Sequence, residues 1–233
     1  MPMRGGAPSR LIRLRRPVTL SVLEEPFVPE GGVRMLDEID RRWANLCLRN
    51  PRYFDGRLFH VLGVSRNGYG GAVLHVAECA YRFYAVQDDG FDLGVRPLGV
   101  RGITVREGKV LMGRRSGEVA SHPGRWEFAP GGVVDVDRPP VDTILAELAE
   151  ETGLRAAREP VSIAVLHDGV LRSWEIVCRI EPAAAHPDRA PTTDEYAELR
   201  WCDVAALPDD LTSTAERMID LAREVKAAWR GDG

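Results

Sequence analysis

The segment from Gly131 to Leu154 restricts what this chain can fold into more than any other. Pro139-Pro140 stands where a helix start tolerates proline, and Gly153 supplies the left-handed residue that ends a helix. Between them Val141, Ile144, Leu145 and Leu148 recur at helical spacing, which predicts a helix running to about Thr152 with one apolar stripe to bury. The other face carries Glu147, Glu150 and Glu151 at i, i+3 and i+4, in the last turn, where the helix dipole already opposes negative charge. No Lys or Arg lies in this helix to offset them. Two readings stand: a solvated acidic face, or a set of hard oxygen ligands for a divalent cation, Mg2+ or Mn2+. The Gly131-Gly132 loop upstream favours the second.

Composition narrows the classes. Apolar residues make up 44% and charged residues 28% of the 233, an ordinary globular balance that needs no disulfide or metal to fold. The net charge of −4 argues against a nucleic-acid-binding surface. Cys47, Cys79, Cys178 and Cys202 lie far apart with no CxxC spacing and read as reduced core thiols in an intracellular compartment. No apolar run is long enough to span a membrane. Arg10, Arg13, Arg15 and Arg16 precede Val18 to Leu23, but Thr19 and Ser21 interrupt that stretch, so it makes a poor signal peptide and the expected location is cytoplasmic.

Three divisions are expected: a disordered tail over residues 1–10, a small α+β domain over 11–96, and a larger domain over 97–230. In the smaller domain Leu11 to Leu23 reads as a strand, Leu36, Ile39, Trp43 and Leu46 as a helix stopped by Asn50-Pro51, and Arg57 to Val64 and Ala72 to Val76 as strands. Tyr81 to Val86 fits a strand or a short helix equally. The larger domain opens with a hairpin, Gly99 to Val105 and Lys109 to Gly113, around Glu107-Gly108. Short strands follow at Trp126 to Phe128, Val161 to His167, Trp174 to Ile180 and Leu199 to Cys202. Ser213 and Glu216 read as a capping box for a last helix with the stripe Met218, Ala222, Val225 and Trp229.

Gly132 through Leu154, with Glu147-Leu148-Ala149-Glu150-Glu151-Thr152-Gly153-Leu154 at the right distance from Gly132, resembles the Nudix box. The approach from Val110-Leu111 to Arg115, then Gly124-Arg125-Trp126-Glu127-Phe128-Ala129-Pro130-Gly131-Gly132, resembles the Nudix lead-in. Two positions depart: the first Glu of the pattern is Arg138 and its Arg is Ala146. Either the orienting cation has moved from helix to loop, or Arg138 is solvated and the site works without one. The Trp43 helix, Asn50-Pro51-Arg52-Tyr53-Phe54-Asp55, Tyr81-Arg82 and Arg96-Pro97-Leu98-Gly99-Val100 are similar to the eukaryotic Nudix branch that hydrolyses UDP-glucose and UDP-galactose. Members of that branch carry an N-terminal extension and also lack the box Arg.

The resemblance implies a Nudix α/β/α sandwich with a mixed sheet. It also implies metal-dependent hydrolysis of a nucleoside diphosphate linked to another moiety, most simply UDP-glucose giving UMP and glucose 1-phosphate. Glu147, Glu150 and Glu151 become metal ligands for Mg2+ or Mn2+, joined by a backbone carbonyl near Gly131, with Gly131 and Gly132 at the substrate. Asp194-Glu195 stands where relatives place a further carboxylate; Glu195 is favoured as extra ligand or general base beside Glu150 and Glu151, with Glu175 an alternative at the site. Arg101, Arg114 and Arg115 flank the expected mouth and would meet substrate phosphates, although each also reads as an ordinary surface residue. Tyr53, Phe54, Tyr81 and Tyr84 could stack on a base, with core packing the simpler role. The five histidines lack ligand spacing, and Ser116 and Ser121 lack a triad. A partial likeness of Leu111 to Phe128 to coenzyme-A-specific members fails at Ala120. The expected partner is a small nucleotide, with no nucleic acid and no membrane; a homodimer is left open. The rival functions are ADP-ribose hydrolysis and a non-catalytic nucleotide sensor.

Overall fold

The computed structural model describes residues 10–119, 121–183 and 195–228. The larger part is an eight-stranded mixed sheet in the order β1-β9-β10-β5-β6-β11, with β7 on β6 and β8 on β5. Its strands are β1 (Arg10–Arg13), β5 (Leu98–Arg106), β6 (Lys109–Arg115), β7 (Trp126–Phe128), β8 (Gly131–Val133), β9 (Val161–Asp168), β10 (Ser173–Ile180) and β11 (Tyr196–Cys202). β10 and β5 run parallel and every other pair in this sheet is antiparallel. Strand alternation sorts the side chains to two faces. Val165, Ile176, Cys178 and Leu111 pack on one side with Ile144 and Leu148 of α3 (Pro140–Thr152). Ala164, Leu166, Val177, Val110 and Met112 pack on the other with Met218, Leu221, Ala222 and Val225 of α4 (Ser213–Ala228). The result is the expected α/β/α sandwich.

A three-stranded sheet, β2 (Val18–Val22), β4 (Ala72–Ala80) and β3 (Arg57–Arg66), forms the smaller part. One face carries α1 (Gly32–Arg49) and α2 (Tyr81–Ala85) over Ile39, Leu58, Cys79 and Phe83. The other face sends Phe59, Val61, Leu74 and Val76 into the same core as Leu98, Val100 and Ile144, so the two parts share an interior. The stretch expected as one strand over Leu11 to Leu23 is two strands in different sheets. Pro17 between them has no N–H for a ladder, and the N–H groups of Arg15 and Arg16 turn instead to the Gly70 carbonyl. β1 therefore belongs to the larger sheet through its pairing with β9. Tyr81 to Val86 resolves as helix because Asp55 accepts the Arg82 N–H at 2.9 Å, capping α2 from a distant loop.

Three local details differ from expectation. Pro130-Gly131-Gly132 is not only a turn, since Gly131–Val133 pairs with β5. The cap of α4 is Thr212, whose hydroxyl accepts the Ala215 N–H at 3.2 Å, while Ser213 donates to Asp168. The strand expected to begin at Leu199 begins at Tyr196. Of the expected tail, residues 1–9 lie outside the described residues, as do Trp229 and Ala120; Arg10 opens β1. The four cysteines are free thiols. No helix among the described residues is long and apolar enough to cross a membrane.

Candidate active site

α3 begins with Pro140 and ends on Gly153 at φ 68°, and its last turn holds no basic residue. The helix lies along β8, so its carboxylates meet the Gly131-Gly132 backbone. Gly131 N–H donates to Glu151 Oε2 at 2.9 Å. The space where a side chain at residue 132 would begin is filled by the Glu147 carboxylate, so only glycine fits. Glu151 is buried and Glu147 half-buried, whereas Glu150 is exposed. Burial, reinforced by neighbouring carboxylates, pushes Glu147 up to about 7 and Glu151 up to about 8. Among the described residues, no three His, Cys, Asp or Glu side chains are already gathered around one point as a metal cage.

Beside this helix lies a buried chain of opposite charges. Arg101 on β5 reaches Glu175 at 3.3 Å and Glu127 at 3.4 Å. Arg115 on β6 reaches Glu127 at 2.6 Å and Glu195 at 2.9 Å. Tyr196 donates its hydroxyl to Glu127 at 3.0 Å, and Ser173 donates to Glu175 at 2.6 Å. Two further glycines make the packing possible. A Cβ on Gly131 would lie 2.5 Å from an Arg101 nitrogen, and one on Gly99 would strike the Glu175 carboxylate. Burial pushes Glu175 upward against the pull of Arg101. Glu127 is the hub of this chain, and sequence reasoning missed it. The sequence offered only a weak cue, an acid on a short strand between two aromatic residues; the structure buries all three, and a buried glutamate must find cations of its own.

A cavity of about 510 Å³ opens onto these groups. Arg101, Arg115, Gly131, Gly132, Glu175 and Glu195 all line it, together with Ser121, whose carbonyl and hydroxyl hold the Arg115 guanidinium at 2.8 and 3.2 Å. Arg114 does not join them. Its side chain leaves β6 on the opposite side from Arg115, as strand alternation dictates, and lies 3.8 Å from Glu198. Arg138 is half-exposed and paired with Asp135 at 2.8 Å. Asp194 lies outside the described residues. The N-terminal part supplies the rest of the wall through Tyr53, Tyr81, Tyr84 and the loop after α2, while Phe54 is exposed beside a separate groove. Arg172 on the β9–β10 turn holds that loop through the Asp88 carbonyl and Asp89, both at 2.9 Å.

Comparison with known proteins identifies the family. The NUDIX domain family model matches residues 95–222. The RNA pyrophosphohydrolase of Bartonella quintana is 27% identical over 171 residues, covering 60% of this chain and 95% of its own. That of Halorhodospira halophila is 38% identical over 91 residues, 38% of this chain and 40% of its own. A NUDIX hydrolase structure from Nitrosomonas europaea aligns with a TM-score of 0.44 at 24% identity, over 56% of this chain and 70% of that one. A structure named UDP-X diphosphatase aligns with a TM-score of 0.43 at 21% identity, over 59% and 66%. Members of the Nudix family generally use divalent metals. The matched span exceeds half the chain and includes β5, β6, β8 and α3, the elements that carry the carboxylates and arginines; the chain belongs to the Nudix family and is a hydrolase acting on diphosphate linkages.

Proposed function

We propose that the protein hydrolyses the diphosphate of a nucleotide sugar in a divalent-metal-dependent reaction, with UDP-glucose as the first choice and UMP and glucose 1-phosphate as products. One observation carries this reading: the cavity beside the box helix does not end at the acid–arginine cluster but continues to a wall built by the N-terminal part. A volume of about 510 Å³ is in the range of small-molecule sites, and it leaves room for a moiety on each side of a diphosphate.

By the chemistry of their donor atoms, the chain's residues suit the family's metal. Glu147, Glu150 and Glu151 offer hard carboxylate oxygens, Gly132 leaves space for Glu147, and the helix supplies no cation of its own. In this reading these three hold Mg2+ or Mn2+, which when bound neutralises the diphosphate and acidifies the attacking water. Gly131 N–H keeps Glu151 aimed at the loop. Arg101 and Arg115 face the cavity as donors to phosphate oxygens, held in place by Glu127. Glu195 sits on the cavity wall against Arg115 as the acceptor for the water's proton, and Glu175 acts through Arg101 rather than on substrate. A second reading, removal of pyrophosphate from RNA 5′ ends, is favoured by the name of the curated relatives.

The test is a panel of UDP-glucose, UDP-galactose, ADP-ribose, dinucleotides, coenzyme A and 5′-triphosphorylated RNA with Mg2+ or Mn2+, reading released products. UMP from UDP-glucose at the highest kcat/KM is expected. Pyrophosphate from RNA with nucleotide sugars untouched would replace this reading with the second.

A further inference from the structure

Three tyrosines of the N-terminal part, Tyr53, Tyr81 and Tyr84, line the same cavity as Arg101, Arg115, Glu175 and Glu195. Tyr53 and Tyr81 stack at 27° with centroids 6.4 Å apart, and Tyr84 meets Tyr81 edge-on at 6.2 Å. Trp43 of α1 braces both members of the stack through edge contacts at 5.8 and 6.2 Å. These separations are those of directly paired rings, so no base slides between them; the stack is a surface, edged by phenol groups. Tyr84 spends its hydroxyl proton on the Leu171 carbonyl at 3.2 Å. The hydroxyls of Tyr53 and Tyr81 have no hydrogen-bond partner among the described residues. Burial pushes Tyr81 up to about 12, so it stays a neutral group able both to donate and to accept.

The remaining groups on this wall are committed. The Gln87 amide oxygen accepts from Leu93 and Val95, and its nitrogen donates to Val95 and Tyr84 carbonyls. Arg172 is spent on Asp88 and Asp89. Among the described residues, the wall therefore suits neither phosphate, which lacks a free cation here, nor a base needing an amide partner. It suits a ring with apolar C–H faces and a rim of hydroxyls.

We propose that Tyr53 and Tyr81 form the sugar subsite and select nucleoside diphosphates whose second moiety is a hexose. This rests on the nucleotide-sugar reading and adds where the sugar sits and what recognises it. Tyr84, tied to Leu171, holds the wall against the β9–β10 turn.

The experiment compares the full chain with Tyr53→Phe, Tyr81→Phe and the double variant, which keep the rings and remove only the hydroxyls. Two substrates are used, UDP-glucose and uridine methyl diphosphate, which lacks the sugar. Each single variant should raise KM for UDP-glucose about threefold to tenfold, the range of one lost neutral hydrogen bond, with kcat unchanged. Uridine methyl diphosphate should be hydrolysed by all forms alike. Metal-free titration calorimetry with glucose 1-phosphate should show the same weakening. Equal loss on both substrates would assign the wall to the nucleoside, and no loss on either would remove it from recognition; both overturn the subsite. Wild-type enzyme that turns over no nucleotide sugar would overturn the underlying reading and the subsite with it, a result seen before any variant is made.

Discussion

Glu151 is 7% exposed and bound by a backbone N–H, yet burial holds its carboxyl at about 8, a group kept short of positive charge. Glutamine at this position preserves size and the hydrogen bond from Gly131 while removing the charge that a metal would need. Glu150→Gln does the same at an exposed position with no packing role. Each variant should therefore cut turnover at least about a hundredfold at saturating Mg2+ while the melting temperature holds, checked by steady-state kinetics beside thermal melts. Wild-type rates in both would remove these carboxylates from the metal assignment. Arg138 is the opposite case. Its pairing with Asp135 is local and half-exposed, and its pull on the Glu147 carboxyl is weaker than that of Arg101, which favours the solvated alternative over a cation moved from helix to loop. Arg138→Ala should leave turnover within about twofold and stability within about 1 kcal/mol, as for other exposed ion pairs. A tenfold loss of kcat would revive the swap.

At the scale of elements, the parts that could be read from the chain were those with strong local chemistry. The proline start and glycine stop of α3, the Glu107-Gly108 turn at φ 51° and 71°, and the two-faced strands β9 and β10 follow from near neighbours. The elements left open or misread depended on distant partners. α2 needs Asp55, β8 needs β5, and the division between β1 and β2 needs the Gly70 carbonyl. The site divided the same way: the box glutamates and the glycine loop were visible as a pattern, while Glu127 as a hub depends on Arg101, Arg115 and Tyr196 from three other strands. Asp168 is a joint of this kind. Fully buried at the end of β9, it accepts from the Val170 and Leu171 N–H groups and from the Ser213 and Thr214 hydroxyls at the start of α4. Burial alone would raise its pKa, but these donors outweigh it and hold it below the ordinary carboxylate value. A depressed pKa stabilises the fold above the unfolded value of about 3.9 and loses that contribution as pH falls through the folded one. Asp168→Asn should cost about 1–3 kcal/mol at pH 7 and flatten the decline in stability below about pH 4. Urea melts at pH 7 and pH 3 measure both; an unchanged slope would show that Asp168 is not the group responsible.

The whole molecule is organised around an interior that its two parts hold in common. Phe59, Val61, Leu74 and Val76 pack in one cluster with Leu98, Val100, Ile144 and Leu148, and β1 lies on β9 as the edge of the larger sheet. Removing residues before Asp92 strips the covering from that face, and each large apolar side chain left exposed forfeits about 1.5–3 kcal/mol. A few such losses match the whole stability of a typical domain, about 5–15 kcal/mol. The truncated chain would also bare the β9 edge that β1 covers, inviting edge-to-edge association. It should therefore be insoluble, or soluble without a cooperative melt, rather than an active enzyme with altered selectivity. Size-exclusion chromatography and a thermal melt of residues 92–233 decide this. A monomer with a sharp transition and full activity on UDP-glucose would mean that the shared core is dispensable, and that the tyrosine wall takes no part in recognising the sugar.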